Sequence, residues 1–212
     1  MLHNRYRGMI AVYFVIALSI LFAQRAAAAD RCGVVEKLTK TVTAARGSKE
    51  IYLSEGDAVY TGDLLRAGQS GYAEIKLIDD TLIAFGGNSV ISLTEVRFRA
   101  GGSRLHISVD NGALWVSIGS IGLVSAEAVK FSTPSLLVSS GNATLQFETG
   151  GGEEKLKVQW LNKGGKVEVY NNRTKTRLTL KEADITLTVS ASGDMTVAPT
   201  ETEQETPPPP EE

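Results

Sequence analysis

Apolar and polar residues alternate with a period of two along most of this chain. Ala73, Ile75 and Leu77 face one way and Tyr72, Glu74 and Lys76 the other. The same phase puts Leu105, Ile107 and Val109 inward, then Leu114, Val116 and Ile118, then Leu156, Val158 and Trp160, then Val167 with Val169, and finally Ile185, Leu187 and Val189. A period of two is the signature of half-buried strands, and no window past the N-terminal region holds a helical period. The strands are short and closely punctuated. Gly56-Asp57 and Gly62-Asp63 supply turn backbone and turn hydrogen bonds, and Asp79-Asp80 lies between two alternating runs as a hairpin turn does. With 21 glycines, the predicted class is all-β, either a solenoid-like stack of strand turns or a sandwich.

Gly112-Ala-Leu-Trp-Val and Gly165-Lys-Val-Glu-Val share a glycine followed by alternating apolar residues, which reads as one strand-opening device used twice. Gly150 to Glu154 is a flexible acidic turn that divides the β-domain, residues 30–198, into possible sub-lobes at 30–149 and 155–198.

Both ends depart from the strand pattern. Residues 1–29 read as a signal peptide: Arg5 and Arg7 precede an apolar run from Met9 to Ala23, then the small residues Ala26 to Ala29, with cleavage expected after Ala29. The apolar run is shorter than the roughly 20 residues of a spanning helix, so only an uncleaved chain would be membrane-anchored, and marginally. From Pro199 the composition turns to Thr, Glu, Gln and Pro, ending in Pro207 to Pro210 and two glutamates. Residues 199–212 are expected to form a disordered tail with polyproline II character at the proline run.

Without Arg5, Arg7 and Arg25 the 22 basic residues fall to 19, against 24 acidic. A negative balance with scattered Lys and Arg argues against a nucleic-acid surface. Cys32 is the single cysteine, so no internal disulfide supports the fold. Ala29-Asp30-Arg31 before it does not suit lipoprotein processing. At a frayed mature terminus it is expected as an inert free thiol, the alternative being a bond to another chain.

Groups that usually perform catalysis are scarce. His106 is the one imidazole beyond the leader and projects from the polar face of a strand beside Arg104. It has no second histidine or cysteine with which to hold zinc or activate a nucleophile, and no serine sits in a Gly-x-Ser-x-Gly elbow. Asp57, Asp63, Asp79 and Asp80 read as turn carboxylates. They are the residues that a glycosidase-like acidic pair would have to use, or, for Asp57 and Asp63, a calcium site. No enzyme activity, cofactor or metal is expected. Aromatic residues are the better lead. Trp115 and Tyr170 fall on outward positions, as does Tyr72, and exposed aromatics concentrate at interaction sites; for Trp115 the alternative is cover by a second layer or a loop.

Taken in order, Leu53-Ser-Glu-Gly-Asp, Thr61-Gly-Asp-Leu-Leu-Arg-Ala-Gly, Tyr72 to Ile83, Asn88-Ser-Val-Ile-Ser-Leu, Gly112-Ala-Leu-Trp-Val, Phe131-Ser-Thr-Pro-Ser, Gly165-Lys-Val-Glu-Val and Leu178-Thr-Leu resemble the periplasmic β-domain of the FecR family over residues 50–190. The resemblance implies an exported, non-catalytic domain that binds an envelope protein or a surface polymer in the periplasm or outside the cell. Family members that regulate iron uptake also carry a cytoplasmic region controlling a sigma factor. Met1 to Gly8 is too short to fold or to hold one, so that role is not expected here; a membrane-anchored signalling component with an uncleaved helix is the alternative. After Thr133-Pro134 the chain departs from the family pattern, and a lengthened turn is expected around Val138 to Thr144.

Overall fold

The computed structural model describes residues 30–99 and 102–200; the leader and the acidic proline-rich segment from Glu201 lie outside the described residues. Sixteen strands form: β1 (Arg31–Thr39), β2 (Val42–Arg46), β3 (Lys49–Tyr52), β4 (Ala58–Tyr60), β5 (Leu64–Ala67), β6 (Tyr72–Leu77), β7 (Leu82–Arg97), β8 (Arg104–Ser117), β9 (Val129–Ser132), β10 (Leu136–Ser140), β11 (Ala143–Gly150), β12 (Glu153–Leu161), β13 (Val167–Asn171), β14 (Arg177–Leu180), β15 (Ile185–Val189) and β16 (Met195–Pro199). Among the described residues the helical pieces are one turn, α1 (Ile121–Val124), and a 3-10 turn at Ala126–Ala128. The fold is all-β, 63% strand and 4% helix over the described residues, so among them no helical layer covers the sheet and the sheet must cover itself.

It does so by bending at its two longest strands. All sixteen strands belong to one open sheet. The first half of β7 pairs with β6 and its second half with β5, while β8 pairs first with β9 and then with β11. The bend in β7 lies in the irregular stretch between Gly86 and Val90, where Gly87 and Asn88 are left-handed (φ 55° and 63°). The bend in β8 falls at Gly112 (φ 85°). Ser89, fully buried, fills the corner: its hydroxyl donates to the Gly86 carbonyl, with the Ala113 carbonyl also in reach at 3.1 Å, and accepts the Ala113 N–H at 3.0 Å.

Two layers result, sharing the β7–β8 pair. One runs β4-β1-β6-β7-β8-β11-β12-β15-β16 and the other β3-β2-β5-β7-β8-β9-β10-β13-β14. Their inner faces meet, as the 5.2 Å separation of the Phe131 and Phe147 ring centroids shows, one ring from each layer. After β8 the chain lays hairpins alternately, β9–β10 on the second layer, β11–β12 on the first, then β13–β14 and β15–β16. Stack and sandwich are thus one object: two facing layers lengthened hairpin by hairpin. Gly150 to Gly152 forms the tip of the β11–β12 hairpin, and buried residues on both sides of it belong to one core cluster.

Polar clamps tie the layers. Arg46 donates to both oxygens of fully buried Asp63 at 2.8 Å and lies 3.9 Å over the Tyr60 ring. Buried Glu154 on β12 accepts from Thr133 and, at 2.5 Å, from Ser135, pinning the β9–β10 turn to the opposite layer. Asn171 donates to the Gly193 carbonyl at 2.9 Å.

Most inward positions are as the alternation predicts, Ile185 being only half-buried, and four other expectations are corrected. Trp160 is 49% exposed, not core. Leu145 pairs with Val158 but Thr144 with Trp160, so Gln159 is an extra residue in β12 and the bulge reverses the phase. Cys32 is 1% exposed inside β1, not at a frayed end; burial foremost, with the charge of Asp63, pushes its thiol up to about 12 and keeps it unreactive. The turn near Val138 is short, since only Gly141 and Asn142 join β10 to β11. Gly112 turns a corner within a strand, whereas Gly165 closes a turn onto the Asn162 carbonyl before β13, so the two do different work.

Candidate functional site

Three neighbouring strands of the first layer, β6, β7 and β8, build a groove on its outer face. The register places Tyr72 opposite Gly86 and Gly86 opposite Ala113; in the next row Glu74 faces Ala84, Ala84 faces Trp115 and Trp115 faces Gln146. Small residues therefore occupy the centre of both rows and large ones stand at the sides. The outcome is a concavity of about 530 Å³ with Ala84, Gly86, Ala113 and Leu82 as floor, Tyr72, Glu74 and Glu36 on one wall, and Trp115 with Gln146 on the other. Gly86 is required by space as well as shape: a Cβ there would lie 2.8 Å from the Gly71 carbonyl oxygen.

Hydrogen bonds hold both walls in place. The Trp115 indole N–H donates to Gln159 Oε1 at 2.8 Å, Gln159 donates to Gln146 at 3.2 Å, and Gln146 donates to Glu148 at 2.8 Å. Across the floor the Tyr72 hydroxyl donates to Glu74 Oε1 at 2.6 Å, which Lys37 also reaches at 3.3 Å. Burial, then the bond to Glu74, pushes the Tyr72 phenol up to about 12, so it stays a neutral donor. The same bond, then that from Lys37, holds the Glu74 carboxyl below its ordinary value. An apolar floor, two braced aromatic walls and a polar rim can grip a ligand that is itself apolar and narrow, with few ordering costs.

Of the aromatic residues singled out by outward phase, Tyr72 and Trp115 come together here and Tyr170 does not. Trp115 is half-buried, its edge bonded by Gln159 rather than covered by another layer. Tyr170 lies on the outer face of the second layer, with the Arg177 guanidinium 5.6 Å from its ring centroid, beside Lys130 and Glu168 in a separate depression. Alternation could not find Ala84, Gly86 and Ala113 as site residues, although small residues at outward strand positions are the signal they leave.

The turn carboxylates do not converge. Asp57 accepts the Ser54 N–H at 2.8 Å; Asp63 is closed off by Arg46 and the Tyr60 N–H; Asp79, also buried, accepts from Thr81 and the Ile121 N–H; exposed Asp80 pairs with Lys76 at 3.0 Å. Asp63 and Asp79 are thus interior anchors rather than exposed turn tips. No grouping of three or more His, Cys, Asp or Glu suited to a metal occurs among the described residues. His106 bonds Ser132 at 3.0 Å on the second layer, away from the groove.

No family model and no curated protein matches the chain. It is similar in structure to two crystal structures of a candidate anti-sigma factor from Parabacteroides distasonis, with TM-scores of 0.48 and 0.49 at 14% and 12% identity. Each comparison covers 63% of this chain and 58% of the other, so the chain spans under two thirds of the length of those proteins. Likeness at this level concerns the layout of strands alone.

Proposed function

We propose that this chain is an exported, FecR-like binding module without catalytic machinery, and that an envelope protein or surface polymer is held in the groove between Tyr72 and Trp115. One observation carries the reading. Two bulky aromatic side chains, held by their own hydrogen bonds, face a shallow floor of glycine, alanine and Leu82 on the outer face of the sheet. An aromatic pair kept partly in water at such a place is costly for folding alone and is typical of a binding centre.

Crosslinking the protein to its occupant in the intact envelope, then isolating it with and without Trp115→Ala, tests the proposal. Trp115 stands on the outer face, so the variant should keep its melting temperature. Retention of the occupant is expected to fall by about tenfold or more, the loss of a binding hot spot. Undiminished retention would move the site elsewhere on the sandwich.

A further inference from the structure

We propose that the groove is a polyproline II site and that the Pro207 to Pro210 run of this same chain seats in it. The inference rests on reading the groove as a binding surface and adds the class of its ligand. It begins with shape. A polyproline II helix repeats every three residues at roughly 3.1 Å each, so prolines on one side recur about 9 Å apart. Tyr72 and Trp115 stand two strands and one cross-strand row apart, on the order of 12 Å at the Cα atoms, and their rings line the same concavity and narrow that gap. Grooves walled by aromatic side chains over a shallow floor are how proline-rich segments are held, because the ligand arrives already ordered. The indole N–H and phenol O–H are already engaged by Gln159 and Glu74, so the rings meet the ligand with their faces, which suits a proline segment that has apolar rings and no N–H of its own to satisfy.

Reach comes next. β16 is the last strand of the same layer, and Ala198 lies in the same cross-strand row as Trp115, through Thr186, Lys157 and Gln146. Four strand spacings separate them, roughly 19 Å; from Thr200, two residues further along the same line, the straight distance to Trp115 is about 20 Å, and the groove centre over β7 is one spacing further. The chain leaves on this outer face, since the Thr200 hydroxyl is bonded to that of Thr186 at 3.1 Å. Seven residue steps from Thr200 to Pro207 extend to about 23 Å, and four prolines then cover about 12 Å, the width of the groove.

Charge lies along that path. The spacer carries Glu201, Glu203 and Glu205, and the outer face it must cross carries Lys155 and Lys157 on β12. Each lysine has one exposed glutamate partner, at 3.4 Å and 3.8 Å, the kind of loose surface pair that a passing carboxylate can share. At the far wall Lys37 is paired with Glu74 and Lys76 with Asp80, so the charge attraction is carried by Lys155 and Lys157 along the spacer. The short tether supplies an effective concentration in the millimolar range, enough to fill a weak site, so an outside ligand must displace the segment.

The test uses the full chain carrying Trp160→Phe, which leaves Trp115 as the sole indole. Acrylamide quenching of Trp115 is compared with and without replacement of Pro207 to Pro210 by alternating Gly and Ser, at matched melting temperature. Quenching should rise about twofold or more on replacement and revert when a Thr-Pro-Pro-Pro-Pro-Glu-Glu peptide is added at roughly millimolar concentration. Equal quenching in the two chains, or no response to the peptide, overturns the proposal. Shielding that grows with protein concentration overturns the seat within one chain and assigns the prolines to a second copy. Because the readout needs no outside partner, an occupant lost on Trp115→Ala together with equal quenching would refute the tail and leave the binding reading standing.

Discussion

Asp63 illustrates how much one side chain decides. It has no exposed surface, yet it is a carboxylate, and it is tolerated because Arg46 grips both oxygens at 2.8 Å and the Tyr60 N–H adds a third bond at 2.9 Å. A buried charge with those partners is near balance; stripped of its countercharge it is not. Arg46→Met, which keeps the stem and drops the fork, is expected to lower stability by about 2–4 kcal/mol in urea unfolding. Arg46→Lys should recover little, since a single ammonium cannot reproduce the two parallel bonds. An unchanged midpoint for Arg46→Met would show that Asp63 finds other partners.

At the scale of the element, the corner of β7 and β8 holds the layers apart and together. Gly112 combines a left-handed backbone with no room: a Cβ would meet the Ser89 hydroxyl at 2.4 Å and the Ser89 Cα at 2.6 Å. Gly56 has the same φ of 85° but nothing within 4 Å, so it isolates the backbone cost from the steric one. Thermal unfolding should show Gly56→Ala losing about 1 kcal/mol and Gly112→Ala clearly more, about 3 kcal/mol. Equal losses would mean that the corner relaxes freely. The bulge at Gln159 acts at the same scale. It turns Trp160 outward and carries the amide that bonds Trp115, so one inserted residue both undoes a core position and braces the groove.

The stability of the whole molecule should respond to pH through His106. Its surroundings are Glu95 on β7, Lys130 and Ser132 on β9 and a half-buried strand face. Burial first, then the charge of Lys130, holds the imidazole below its ordinary value, with Glu95 opposing. A histidine depressed in the folded state favours the unfolded chain once that chain can protonate. Stability is therefore full above the ordinary value of about 6.5 and declines as pH falls below it, until the folded imidazole also takes a proton. Urea midpoints measured between pH 8 and pH 5.5 should fall further for the natural chain than for His106→Gln; parallel curves would show that the imidazole titrates alike in both states.

The period-two pattern alone determined that this chain is all-β, and it chose the inner face of nearly every strand, because burial alternates along a strand whatever the strand pairs with. It also found Tyr72 and Trp115 as outward aromatics. Tertiary structure decided everything that depends on which strands become neighbours. Pairing of β6 with β7 and β7 with β8 set the two aromatics on facing walls, the pairing offset in β12 exposed Trp160, and closure of two layers buried Cys32, Asp63 and Asp79. Those outcomes join residues that are distant along the chain, and no local period records such contacts.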